Sequence, residues 1–183
     1  AGNGKDDDKN GFIDDIHGWN FVNNSPNSVD DHNHGSHCAG TIGGSGNNGI
    51  GVAGVNWEVS LLPVKFLSAD GSGSSEGAIN SINYARRMKA KVMSNSWGGG
   101  GASELMKRAI EDSLAEGVVF VAAAGNSTND NDSSPTYPAS YDVANVISVA
   151  ATDNQDRLAS FSNFGRRTVH VAAPGVKIWS TVK

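Results

Sequence analysis

Val118-Val119-Phe120-Val121-Ala122-Ala123-Ala124-Gly125-Asn126 is the stretch on which the fold turns. Its apolar run is unbroken and bounded by glycines, the pattern of a strand buried on both faces rather than one alternating against water. Upstream, Ser103 caps a helix with Leu105, Met106, Ala109, Ile110, Ser113 and Leu114 on its inward face, and Gly117 stops it. Before that helix, Lys91 to Trp97 reads as a strand running into Gly98 to Gly101. Ser74-Ser75-Glu76 opens an earlier helix with Ile79, Ile82 and Ala85 or Arg86 inward, preceded by a second buried strand over Val59 to Phe66. Downstream, Ala144 to Ala151 and Thr168 to Ala173 are two more strands. Strands alternating with helices through short links predict an α/β fold: three layers, a mostly parallel sheet, helices on both faces. No repeat or linker interrupts the pattern, so residues 1–183 read as a single domain.

Composition narrows the function. A net charge of −5 with 18% charged residues argues against a nucleic-acid surface. Twenty-three glycines against five prolines signal tight turns rather than disorder. The longest apolar run, eight residues from Val118 to Gly125, is too short to span a bilayer. A single cysteine rules out an internal disulfide. Nothing at the start reads as a signal peptide, and both ends look cut, Lys183 following directly on a strand-like run.

Chemistry concentrates in Asp30-Asp31-His32-Asn33-His34-Gly35-Ser36-His37-Cys38-Ala39-Gly40, which runs into a small-residue helix. A histidine at such a helix head meets unsatisfied N–H groups and the positive dipole end, which favour the neutral imidazole of a general base. His32, His34, His37 and Cys38 also form a candidate zinc set, although no second Cys/His cluster exists to complete it. Cys38 reads better as a small group packed beneath His34. Asp30 and Asp31 read as solvated loop acids. At the end of the Val118–Ala124 strand, Asn126 stands where an amide can donate to a developing oxyanion; a plain turn asparagine is the other reading.

One loop suggests a cation, and a second is rich in glycine. Asp6, Asp8 and Asn10 place oxygens at alternate positions, Gly11 permits the sharp turn, Phe12 offers its carbonyl, and Asp14 or Asp15 completes the set for Ca2+. The closing Glu of a full calcium loop is missing, His17 standing there, and a solvated acidic turn is the plainer reading. Asn47 to Val55 is a Gly-rich turn; no Gly-Lys-Ser/Thr follows, which argues against a phosphate cradle.

Several of these segments resemble the motifs of the subtilisin-like serine proteases. His34-Gly35-Ser36-His37-Cys38-Ala39-Gly40 resembles the family's His-Gly-Thr-His-(Val/Cys)-Ala-Gly, and the run ending in Gly125-Asn126 resembles its Ala-Ala-Ala-Gly-Asn. Ser94-Asn95-Ser96-Trp97-Gly98-Gly99 is similar to the segment lining the pocket for the residue before the scissile bond. Ser160 to Gly165 and Val171 to Gly175 match two further family segments.

The resemblance implies a serine endopeptidase with His34 as base and Asn126 as oxyanion donor. Ser94, Ser96, Trp97 and Gly98 would form one wall of a roomy apolar pocket, and Ala123, Ala124 and Gly125 the other. It implies structural Ca2+, held in the second loop by the carbonyls of Gly46, Ile50 and Val52 and the Asn48 side chain. Asn20, Asn23 and Ser25 stand where some members carry the acids of a further calcium site. The partners implied are peptide or protein substrates and an inhibitory prodomain, and the setting is secreted or secretory.

Two departures matter. The family's Asp-(Ser/Thr)-Gly and Gly-Thr-Ser-Met-Ala motifs, bearing the triad acid and nucleophile, are absent from these residues. The chain therefore reads as the central portion of a catalytic domain, inactive by itself. The rival reading is a calcium-stabilised binding domain that kept the fold and lost the triad.

Overall fold

Chain order runs β1 (Trp19–Asn20), α1 (His34–Gly43), β2 (Val64–Lys65), α2 (Ser75–Arg87), β3 (Val92–Asn95), α3 (Glu104–Ala115), β4 (Val119–Ala123), β5 (Val146–Thr152) and β6 (Val171–Pro174). The structure is a computed structural model describing residues 2–183. These gather into two compact units, residues 2–87 with 179–183, and residues 88–178.

The second unit is built on a parallel four-stranded sheet in the order β3-β4-β5-β6. Val92 pairs with Val119, Phe120 with Val146, and Val149 with Val171. Burial alternates along the strands: Met93, Phe120, Ala122, Val146 and Ala150 are buried, whereas Val92, Val119, Ile147 and Val171 on the other face are exposed. The apolar run of β4 therefore lies in a sheet whose two faces differ, which its composition does not disclose. Helix α3 packs against β4 and buries Met106, Ala109, Ile110 and Ser113. Two of its expected core residues do not join them, since Leu105 is 74% exposed and Leu114 39%. At 100° per residue the stripe 106/109/110/113 fills the contact face, and positions 105 and 114 fall to either side. The predicted cap holds: Ser103 Oγ accepts Met106 N–H at 3.3 Å.

The first unit centres on an aromatic cluster in which the Phe12 ring meets Trp19 at 4.9 Å, Tyr84 at 4.8 Å and Phe21 at 5.8 Å, all edge-on. Helix α2 buries Ala78, Ser81, Ile82, Tyr84 and Ala85, and Ile79 is half-buried. The buried strand expected over Val59 to Phe66 shortens to the two residues of β2, parallel to β1, with Val59 and Leu61 exposed. Pro63 is the physical reason, because it has no N–H to give a ladder. Gly18, at φ +88°, lets β1 begin directly against the Pro63 carbonyl, where a Cβ would collide.

Candidate functional site

Helix α1 begins at His34 itself, with Asn33 before it at φ +88° and no side-chain cap from that residue. The cap comes from further back. Asp30 Oδ1 accepts His32 N–H at 2.8 Å and Asn33 N–H at 3.1 Å, and Oδ2 accepts Ser36 N–H at 2.8 Å. Burial alone would raise the Asp30 pKa, but these bonds outweigh it and hold the carboxyl far below the usual carboxylate range. Asp30 is thus the anchor of the helix head, a role missed when it is read as a loop acid. The signal was present in sequence as a carboxylate six residues before the Ser36 amide it caps. Asp31 instead pairs with Lys65 Nζ at 2.6 Å.

Residues 180–183 close over the same helix. Ser180 Oγ donates to the His37 carbonyl at 2.7 Å, Thr181 Oγ1 to the Ser36 carbonyl at 2.7 Å, and Lys183 Nζ to the Asp31 carbonyl at 2.7 Å. Gly40 makes room for them, since a Cβ there would strike both hydroxyls. His34 stays exposed, its ring centroid 6.4 Å from that of His32 and its Nε2 3.9 Å from Cys38 Sγ. Cys38 is half-buried in this packing. Among the described residues no three His, Cys, Asp or Glu side chains gather as a metal site.

In the second unit the expected site residues lie at the carboxyl ends of β3 and β4, adjacent parallel strands and the usual place for a site in an open α/β sheet. Ser94, Ser96 and Gly98 are exposed and Trp97 half-buried. Between them sits Asn95, which sequence reasoning passed over: buried, it donates to the Met93 and Val121 carbonyls at 3.1 Å each and accepts Trp97 Nε1 at 3.1 Å. It stitches β3 to β4 and orients the Trp97 ring. Gly99 and Gly100, at φ +130° and +75°, have open space around them.

On β4, Ala123 is exposed and Gly125 half-buried, but Ala124 faces the core, so its methyl is turned away from any surface slot. Gly125 adopts φ +120°, and a Cβ there would run into the Asn163 amide. Asn126 follows with an exposed side chain that makes no hydrogen bond among the described residues.

The cation loops differ from one another. Asp6 accepts Asn10 N–H at 3.1 Å and Gly11 N–H at 2.8 Å, and Asp8 accepts Asn10 N–H at 3.3 Å and its Nδ2 at 3.1 Å. Asn10 Oδ1 takes Phe12 N–H at 2.8 Å. The oxygens of the first three expected ligands are thus taken up by N–H groups of the turn itself. Asp14 is occupied elsewhere, accepting Gly4 and Asn3 N–H groups at 2.8 Å each, bonds that lower its pKa. Asp15 meets Asn10 Nδ2 at 2.8 Å and the buried Tyr84 hydroxyl at 2.7 Å. Burial and the adjoining Asp15 carboxylate push that phenol well above its ordinary value. In the second loop Asn48 Oδ1 accepts Ile50 N–H at 3.0 Å, and residues 45 and 47–53 line a concavity of about 170 Å³.

Residues 1–183 match the profile described as the Subtilase family. Thermitase of Thermoactinomyces vulgaris is 42% identical over 91% of this chain and 57% of its own length. The Thermophilic serine proteinase of Bacillus sp. (strain AK1) is 42% identical over 91% of this chain and 40% of its own, and Subtilisin DY of Bacillus licheniformis 38% over 91% and 60%. A crystal structure of a cold-adapted subtilisin-like serine proteinase superposes with a TM-score of 0.77 at 36% identity, over 88% of this chain and 57% of that one. The fold is therefore the expected α/β architecture of three layers around a mostly parallel sheet. The chain spans about half the length of these relatives.

Proposed function

The chain belongs to the subtilase family, and from that premise we propose that the protein containing it is a serine endopeptidase in which His34 is the general base and Asn126 the oxyanion donor. The observation that carries the reading is the free carboxamide of Asn126, exposed at the end of β4 between backbone that Asn163 bonds on either side. A donor of this kind lowers the barrier by stabilising the charge that appears on the carbonyl oxygen in the tetrahedral intermediate.

In this reading His34 takes the proton of a serine as it attacks the peptide carbonyl and returns it to the leaving amine. The serine and the orienting acid come from residues beyond this sequence. Ser94, Ser96, Trp97 and Gly98 on one side and Ala123 and Gly125 on the other receive the peptide, whose backbone pairs with the exposed strand ends. Among the described residues no helix is long and apolar enough to cross a membrane. Secretion and control by an inhibitory prodomain belong to the same proposal.

Ca2+ is proposed as a structural cation of both loops. Asp6, Asp8 and Asn10 offer alternate oxygens in the first, which would exchange their bonds within the turn for the cation, whereas Asp14 is held by Asn3 and Gly4. The readout is melting temperature against calcium concentration. A cation at 100 times its Kd stabilises by about 2.7 kcal/mol, and Asp8→Asn should flatten the response. A melting temperature indifferent to calcium would remove the cation from the proposal.

The activity test is fluorophosphonate labelling and peptide hydrolysis by the full-length protein. Labelling and turnover are expected there, with loss on the order of 10⁶-fold in kcat for His34→Ala, and no label on residues 1–183 alone. Absence of both in the full-length protein would favour a calcium-stabilised binding domain instead.

A further inference from the structure

Asn163 takes no part in the chemistry proposed above, yet it is the most heavily bonded side chain near Asn126. It is 1% exposed. Its Nδ2 donates towards the Ala124 carbonyl, Asn131 Oδ1 and Thr136 Oγ1, each at 3.1 Å. Its Oδ1 accepts Ser127 N–H at 2.7 Å and Asn129 N–H at 3.2 Å, and its own N–H reaches the Gly125 carbonyl at 2.8 Å. One residue therefore grips the backbone at 124 and 125 on one side of Asn126 and at 127 and 129 on the other.

The support behind it is also satisfied. Asn131, fully buried, donates to the Ala124 carbonyl at 2.9 Å and accepts Asn129 Nδ2 at 3.0 Å and Thr136 Oγ1 at 3.1 Å. A buried polar network with every partner in place is stiff, because breaking one bond strands a desolvated group. Among the described residues the Asn126 side chain has no bond of its own to hold it. Its carboxamide position is set by the backbone that Asn163 clamps.

We propose that Asn163 is the positioning residue of the oxyanion site, bracketing Asn126 through backbone bonds on both sides so that its free carboxamide is preorganised for the developing charge. The proposal rests on the reading of Asn126 as the oxyanion donor. Preorganisation is where such a donor gets its value, since a donor that must be ordered during the reaction loses part of its effect.

The test is a double-mutant cycle on peptide hydrolysis by the full-length protein, with Asn126→Ala, Asn163→Ser and the pair together. Asn126→Ala is expected to lower kcat 10²- to 10³-fold. Asn163→Ser is expected to lower kcat about 10- to 100-fold with KM unchanged, as for a misplaced catalytic group. In the Asn126→Ala background the same change should cost nothing further, because there is no carboxamide left to position. Equal losses in both backgrounds, or a loss in KM alone, would overturn the proposal while leaving the protease reading intact. A wild-type protein without hydrolysis would bring down both, and an Asn126→Ala variant with full kcat would bring down the oxyanion reading together with the proposal while leaving a protease. Thr136→Val, which keeps volume and removes one acceptor of the Asn163 amide, guards against misfolding of Asn163→Ser. It should give a smaller kcat loss that likewise vanishes without Asn126.

Discussion

The head of α1 and the tip of β4 each leave one polar side chain exposed, and they hold it by opposite means. At α1 a charged group does the holding, the Asp30 carboxylate accepting three backbone N–H groups beneath His34. At β4 neutral groups do it, the buried amides of Asn163 and Asn131 and the half-buried hydroxyl of Thr136. A charge-assisted cap is individually strong but can be protonated away; an amide network is weaker bond by bond, does not titrate, and fails abruptly if one member is displaced. The two should therefore respond to different insults.

The largest effect is expected at the neutral end. Gly125→Ala forces a side chain into backbone at φ +120° and drives its Cβ into the Asn163 amide. Strain together with a disrupted buried network should cost on the order of 3–4 kcal/mol, read as a shift in the urea midpoint. An alanine tolerated within 1 kcal/mol would mean that the turn relaxes freely, and the contrast with α1 would dissolve.

Next comes the charged end. Asp30→Ala should destabilise by about 1–2 kcal/mol, the usual cost of losing an N-terminal cap. Its pH dependence has a definite sign. The folded pKa of Asp30 lies below that of the unfolded chain, so its contribution is complete above about pH 4 and is lost as the pH falls from there towards the folded value. Hydrogen exchange on acidification should expose the Ser36 amide before the Ser127 amide. Simultaneous exposure would show that the two ends are not held independently.

The smallest effect belongs to the Asp31–Lys65 pair, where Asp31 is half exposed. Lys65→Met should cost under about 1 kcal/mol, and the difference from wild type should shrink further in high salt.

Much of this is legible in the amino-acid sequence. The buried stripe of α3 and its Ser103 cap follow from 3.6-residue periodicity, and β4 from an apolar run between glycines. His34 and Asn126 sit at element boundaries marked by small residues. Other features were hidden for physical reasons. Leu105 and Leu114 satisfy an apolar count but not the angle of the contact face. Val59 to Phe66 looks like a strand by composition, while Pro63 takes away the donor that pairing needs. Asn131 carries no local signature and Asn163 only its place in a family segment without evident chemistry, because a buried asparagine is defined by what lies across the fold from it. Asp30 is intermediate: its span to Ser36 is short, but capping from that far back of a helix depends on the left-handed turn at Asn33.

One consequence follows from residues 180–183 closing over α1. The bonds that seal the carbonyls of Asp31, Ser36 and His37 come from side chains 143 to 152 positions away. As the chain emerges during synthesis, α1 can coil early, but these seals arrive on the order of ten seconds later at ordinary elongation rates. The surroundings of His34 are thus among the last in the first unit to mature.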